Sequence, residues 1–228
     1  DKALVASALD RAETQFRAAL DAIDQMEPSP ANYERWSAVA KRLATACVFD
    51  PAREKLEVFR RAVALAVAHN DVHAAANAEY WLGYINYGLG EAQVAIGHFE
   101  SAQAKANALG SCPLAAQLRA TLGQARAAAC DYDAALELFD AALSIKRQYH
   151  SPSRPSVGSA YTLACKAAVL GDRGRFEEAY ECLRDAQEGL RGVHHVVEGS
   201  VLCLQSSVLL WQGRWEEARR SAAAAEQV

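Results

Sequence analysis

The chain has no apolar run approaching the eighteen or more residues that would cross a bilayer, so no membrane-spanning helix is expected. Its first stretch, from Asp1-Lys2, mixes acids and bases and has no uninterrupted apolar core, which excludes a secretory signal peptide. No basic stripe accompanies the net charge of −4; acidic and basic residues are interspersed, which argues against a dedicated nucleic-acid surface. The six cysteines (Cys47, Cys112, Cys130, Cys165, Cys182, Cys203) form no CxxC pair and no Cys/His metal spacing. They read as free thiols of a reducing, cytoplasmic setting. Aromatics are scarce, at 8% of residues, while alanine is abundant, a balance that favours closely packed helices over sheet. No segment shows the strict alternation of a half-buried strand.

What the sequence does have is one pattern stated twice. Leu82-Gly83, Gly90, Ala95, Phe99 and Ala102 return as Leu122-Gly123, Cys130, Ala135, Phe139 and Ala142, each 40 positions later. A fixed period in this range marks a repeat array.

Taken in order, apolar residues at three-to-four spacing predict a helix over 2–26, with Leu9, Phe16, Leu20 and Ile23 on one face. Pro28 and Pro30 break it, because proline lacks the N–H a helix interior requires. A second helix follows at about 31–47. Asp50-Pro51 reads as a capping carboxylate with proline in the first turn, opening a third helix that runs to about His69. Further helices are expected near 72–88, 91–109, 113–129, 132–149, 156–172, 175–190, 195–212 and 215–227. The stretch from His150 to Pro155 is the longest expected linker.

Second helices carry a short signature, Ala95/Phe99/Ala102, repeated at Ala135/Phe139/Ala142 and Ala179/Leu183/Ala186. Weaker copies stand at Lys55/Phe59/Ala62 and Ala218/Ala222/Ala225, and one more at Ala12/Phe16/Ala19. Steps of four and three put all three side chains on one helix face. The central positions 16, 59, 99, 139, 183 and 222 are 43, 40, 40, 44 and 39 apart. Position 16 belongs to the second half of a repeat whose first half is missing. With no initial methionine, the chain is expected to be a fragment of a longer protein, and residues 1–228 to form a single helical-repeat domain.

These residues resemble the tetratricopeptide repeat family, whose pattern has Leu-Gly, a turn glycine, an aromatic, and Ala…Phe…Ala on the second helix. Gly174-Arg175-Phe176-Glu177-Glu178-Ala179 and Gly213-Arg214-Trp215-Glu216-Glu217-Ala218 are typical turns of that kind. The period near 40 exceeds the family's 34, and Lys166-Ala167 and Gln205-Ser206 replace Leu-Gly in the last two repeats. The long period is similar to helical arrays of bacterial multidomain signalling and transcription regulators. The resemblance implies an all-α, right-handed α-α superhelix, a solenoid of about five helix pairs plus one N-terminal half-repeat. It also implies that first helices line a concave groove.

Aligning first helices on Leu82, Leu122, Lys166 and Gln205 projects that groove. Its expected partner-binding residues are Asn77, Tyr80, Trp81, Tyr84 and Tyr87, then Gln117, Thr121 and Gln124, then Tyr161. Tyr80, Tyr84 and Tyr87 share a helix face with Trp81 at its edge, and such side chains anchor interfaces. The alternative is that longer repeats bury these aromatics between helix pairs. Family members that clamp the carboxylate tail of heat-shock chaperones place Lys and Asn in the groove. Tyr80, Tyr84, Ala120 and Gln124 stand at those positions here and lack the cations such a tail needs.

Catalysis finds no footing in the sequence. Gly88-Leu89-Gly90 turns between two helices and is no phosphate loop, His69 and His73 straddle a break, and His194-His195 diverge on a helix. No catalytic residue, metal or cofactor is expected. The expected partners are a protein or peptide, or another domain of the same polypeptide. Neither nucleic acid nor membrane is expected, and array ends near Ala218–Val228 could pair in a homodimer. A groove that encloses a small molecule is the alternative function.

Overall fold

The computed structural model describes every residue except 1, 49, 111 and 150–155, and for residues 2–8, 46, 112 and 149 the backbone alone. The linker expected at 150–155 lies outside the described residues. All regular structure among the described residues is helical: α1 (Lys2–Asp24), α2 (Pro30–Ala46), α3 (Leu56–Ala68), α4 (Val72–Gly88), α5 (Ala92–Leu109), α6 (Cys112–Ala128), α7 (Tyr132–Tyr149), α8 (Val157–Asp172), α9 (Phe176–Gly189), α10 (Val197–Trp211) and α11 (Trp215–Ala225). The chain divides into two compact units, Asp1–Ser111 and Cys112–Val228. In the first, α1 packs on α2, and α3 and α5 pack on α4. In the second, the close pairs are α6 with α7, α8 with α9, and α10 with α11, and α10 also lies along α8.

The repeat signature has a steric cause. A Cβ placed on Gly83 would lie 2.7 Å from the Phe99 ring, and one on Gly123 would lie 2.8 Å from the Phe139 ring. Glycine in the first helix therefore makes room for the phenylalanine of the second, and both rings are buried. Ala95 and Ala102 flank Phe99 and are fully buried, so small side chains let the two backbones close around one large one. Where Leu183 replaces phenylalanine, Ala167 replaces glycine, and both join one core with Ala164, Leu170 and Val208. In the last pair the counterparts are Ser206 and Ala222, and Ser206 Oγ donates to the Ala218 carbonyl at 2.9 Å.

The turns repeat as faithfully as the seams. After α4, Gly90 N–H donates to the Tyr87 carbonyl and Glu91 N–H to the Asn86 carbonyl, at 3.0 and 2.8 Å. The same pair of bonds recurs at Asn70-Asp71, Cys130-Asp131, Gly174-Arg175 and Gly213-Arg214. This is the helix C-terminal motif that requires a left-handed residue after the cap. Gly90, Gly174 and Gly213 supply it with φ of 80°, 72° and 79°, whereas Asn70 and Cys130 adopt it at 54° and 62°.

The region around α3 departs from the sequence reading. Arg53–Lys55 form a single 3-10 turn and the α-helix starts only at Leu56. Asp50 does not cap it. Its carboxylate and carbonyl instead hold Lys55 Nζ, at 2.8 and 2.7 Å, and Glu13 of α1 takes the same ammonium at 2.8 Å. The Lys55 side chain is 1% exposed, so a cation stands where Ala95 and Ala135 stand in the next two repeats. Burial pulls its pKa down, but the hydrogen bonds to Asp50 and Glu13 outweigh that and leave it raised. Glu13 shows the converse: burial pushes its carboxyl up, and Lys55 and Arg17 hold it net below the usual range.

Candidate functional site

Helix α4 is the element that places most of the expected contact residues. Asp71 caps it by accepting from Ala74 N–H at 2.8 Å, and Tyr33 of α2 donates its hydroxyl to the same carboxylate at 2.8 Å. Ala74, Ala75, Ala76, Ala78, Leu82, Gly83 and Ile85 are buried, which leaves a partly open stripe at Asn77, Trp81, Tyr84 and Tyr87.

Tyr80 does not belong to that stripe. It is 5% exposed, and its ring lies 5.8 Å from Phe99. The reason is local: Tyr80 precedes Gly83 by one helical turn, and that face must meet α5 for the Phe99 ring to sit against the glycine. The open stripe is rotated toward Asn77, Trp81 and Tyr84, four and three residues apart, with Tyr80 beneath it. Tyr80 meets Trp81 edge-on at 5.2 Å, and Trp81 meets Tyr84 edge-on at 5.4 Å. Phe59 stacks on Trp81 from α3 at 6.2 Å. The half-buried rings are thus held by rings on both sides, a rigid surface with little side-chain entropy left to lose. Burial raises the Tyr84 phenol above its ordinary pKa, so it remains a neutral donor through physiological pH.

Asn77 also reaches a cavity of about 20 Å³, roughly one water molecule in size, shared with Tyr33, Trp36, Ser37 and Lys41. The Trp36 indole N–H is buried there without a protein acceptor. Next to it, Tyr33 stacks on His69 with ring centres 4.1 Å apart, and Arg61 lies over the Trp36 ring at 5.9 Å. The sequence does not foretell that these residues meet; they are distant in the chain and follow no register.

The expected residues of the second unit are less suited to contact. Thr121 on α6 is 5% exposed and returns its hydroxyl to the Gln117 carbonyl at 3.0 Å, so it is core and not surface. The Gln124 amide donates within its own helix, to Ala120 at 3.4 Å, and Gln117 is exposed. Tyr161 on α8 is half-buried beside Cys165, whose thiol burial pushes up to about 12. The larger open grooves of this unit lie elsewhere. One of about 610 Å³ and one of about 580 Å³ share Arg184, Gln187 and Leu202, along α9, α10 and α11.

Among the described residues no three His, Cys, Asp or Glu side chains gather to hold a metal ion. His195 instead accepts from Val197 N–H at 3.1 Å, a structural role at the start of α10. Glu178 and Glu217, in the first turns of α9 and α11, pair with Arg175 and Arg214 three residues earlier. No described helix is long and apolar enough to cross a membrane.

The tetratricopeptide repeat family model matches residues 74–155, which include most of α4 and all of α5, α6 and α7. No curated protein matches the sequence. Among solved structures, BtubC (BKLC) from P. vanneervenii is 19% identical, covers 82% of this chain and 76% of its own, and superposes with a TM-score of 0.67. A Rap protein complexed with competence and sporulation factor gives 13% identity, coverage of 98% and 63%, and a TM-score of 0.73. A signal transduction ATPase with numerous domains and a tetratricopeptide repeat sensor, from Pyrococcus horikoshii, gives 13%, coverage of 96% and 36%, and 0.63. Identities this low speak to fold alone. They place the chain in the all-α helical-repeat class.

Proposed function

We propose, from a chain that carries tetratricopeptide repeats, that it is a non-catalytic interaction array, the regulatory or sensor part of a larger bacterial signalling or transcription-regulatory protein working in the cytoplasm. Its contact surface is the α4 stripe of Asn77, Trp81, Tyr84 and Tyr87, which receives a peptide, a partner protein or another domain of the same polypeptide. The observation that carries this reading is the pinned ring cluster of Trp81 and Tyr84, half-buried and backed by Tyr80, Phe59 and Phe99. Preorganised aromatics of this kind supply interface area at small entropic cost.

Two similar structures support the regulatory sense. One is of a Rap protein with competence and sporulation factor bound, and the other of an ATPase whose repeats are described as a sensor. Enclosure of a small molecule is less favoured in the first unit. The cavities beside α2 measure about 20 and 120 Å³, below the roughly 300–1,000 Å³ of ordinary ligand pockets. The open grooves of the second unit, about 610 and 580 Å³, are of a size for a small molecule, and the expected residues do not line them.

The test is quantitative capture with the 228-residue chain and with the Asn77→Ala/Tyr84→Ala variant, helical content being checked by circular dichroism. An anchoring tyrosine contributes about 2 kcal/mol, so recovery of the specific partner should fall about thirtyfold. Equal recovery of every partner by the folded variant removes the α4 surface from consideration.

A further inference from the structure

Asn77, Trp81, Tyr84 and Gly88 follow steps of four, three and four, and so form one continuous row along α4. The chain itself already lays a proline on the last of them. A Cβ placed on Gly88 would lie 2.5 Å from Pro51 Cγ and 2.7 Å from Pro51 Cβ, so the pyrrolidine ring rests directly on the glycine backbone. Beside it the Tyr84 hydroxyl donates to the Val48 carbonyl at 3.5 Å, the long limit of a hydrogen bond. Ala52, the residue after Pro51, is extended, at φ −121° and ψ 145°. A proline-bearing segment laid on α4 is therefore a contact that this helix makes within its own chain.

Upstream of Gly88 the row stays partly open at Tyr84, Trp81 and Asn77. Gly88 and Trp81 are two helical turns apart, about 10 Å along the axis. Residues i and i+3 of a polyproline II helix share one edge and are about 9.3 Å apart. A proline over Trp81 thus stands one polyproline turn from the place that Pro51 fills. The chemistry agrees with the spacing. Polyproline II has no internal hydrogen bonds, so its carbonyls look outward for donors, and the Asn77 amide and the Tyr84 hydroxyl are donors in this row. No charged side chain stands in it. The one carboxylate of α4, Glu79, turns to α5, where it meets His98 Nδ1 at 2.7 Å and Lys105 Nζ at 3.6 Å. Nothing in the row selects a charged peptide.

Taking α4 as the contact surface, as above, we propose that its occupant is a proline-rich segment in polyproline II form. One proline lies over Trp81, the carbonyls beside it take the Tyr84 hydroxyl and the Asn77 amide, and Pro51 marks the end of the row. The incoming ring meets aromatics already held by Tyr80 and Phe59. The segment itself arrives with φ fixed by its prolines. Both sides therefore lose little entropy on binding.

The probe is fluorescein-labelled decaproline, titrated with the folded 228-residue chain and followed by anisotropy, beside a Gly/Ser peptide and an acidic peptide of equal length. Decaproline is expected to bind at least about tenfold more tightly than either. Trp81→Ala and Tyr84→Ala should each weaken it about tenfold, Tyr84→Phe about threefold, and Tyr180→Ala on α9 not at all. Circular dichroism checks each variant. If Trp81→Ala, which also uncovers Phe59, loses helix, the two Tyr84 variants decide. Equal binding of the three peptides, or decaproline binding that no Tyr84 variant changes, overturns the proposal. Failure of decaproline to bind, while Asn77→Ala/Tyr84→Ala still loses its captured partner, overturns the proline-rich occupant and leaves α4 as a contact surface for another class.

Discussion

Two neighbouring regions of the first unit solve the same packing problem in opposite ways. Between α4 and α5, Gly83 lies under Phe99 and Ala95 closes the seam, so the two helices meet along their length. Forty residues earlier the corresponding positions hold Leu43, Phe59 and Lys55, and α2 and α3 touch only lightly. Phe59 is as buried as Phe99, but its neighbours include Leu82 and Ile85 of α4. Leu43 packs with Leu20, Trp36 and Ala40 on the α1 side. A leucine in the glycine's place keeps the second helix from closing on the first, and the opened end is filled by a lysine that must bring its own carboxylates. The phenylalanine alone does not define the repeat seam. The residue opposite it decides whether the pair closes.

The sharpest way to break that comparison is to impose the apolar solution on the charged seam. Lys55→Ala copies Ala95 but leaves Glu13 half-buried with Arg17 as its remaining partner, and it empties the volume of a fully buried side chain. A loss of about 3 kcal/mol in urea unfolding is expected, toward the low end for a broken buried pair because Asp50 is largely exposed. The pH dependence has a definite sign. Lys55 is raised above its ordinary 10.5, so its contribution is complete below that value and is lost as pH climbs through the folded-state pKa. Tyr33, pushed up to about 12 by burial and by Asp71, loses its contribution in the same alkaline window. Lys55→Ala should therefore shrink, and not abolish, the fall in stability above pH about 10.5. An unchanged alkaline profile in the variant would show that the ion cluster contributes nothing to folding.

The closed seam can be probed by exchanging its two sizes. Gly83→Ala puts a methyl group 2.7 Å from the Phe99 ring. It should cost about 2 kcal/mol from overpacking even after the helix-propensity gain of alanine. Phe99→Leu alone leaves space unfilled and should cost about 1–2 kcal/mol. Together they recreate the Ala167/Leu183 combination of α8 and α9, so the double variant is expected to lose about 1 kcal/mol or more less than the sum. Additive costs in this cycle would mean that the glycine and the ring are not each other's constraint.

Much of this architecture was legible before any coordinates. Periodic apolar faces and the Gly/Pro punctuation located the helices, because each of these acts within a few residues of itself, and the 40-residue register grouped the helices into repeats. The contacts that were not legible join residues with no shared register. Glu13 meets Lys55 across 42 positions, and Lys146 meets Thr162 across a proline-containing linker. The α4 surface was half legible. Its aromatic character follows from composition, but the rotation that buries Tyr80 and opens Asn77, Trp81 and Tyr84 is set by the glycine facing Phe99, a tertiary fact. Thr121 misled for the same reason, since a hydroxyl can satisfy itself on its own helix and be buried.

The smallest effect concerns the turns, where the second pattern copy departs from the first. Gly90 and Cys130 occupy the same left-handed position, at φ of 80° and 62°. A side chain in that region costs roughly 1–2 kcal/mol that glycine avoids, while glycine gives back about 0.5–1 kcal/mol through the freedom of the unfolded chain. Cys130 is exposed, so its replacement uncovers no core, and its sulfur offers the neighbouring Tyr132 hydroxyl only a weak contact. Cys130→Gly should therefore stabilise the protein by about 0.5 kcal/mol, and raise Tm slightly. Asn70→Gly serves as the control: asparagine tolerates φ of 54° far better than cysteine does, so little or no gain is expected there. A gain at Asn70 equal to that at Cys130 would place the benefit in loop chemistry common to both turns instead of in the strain of the cysteine.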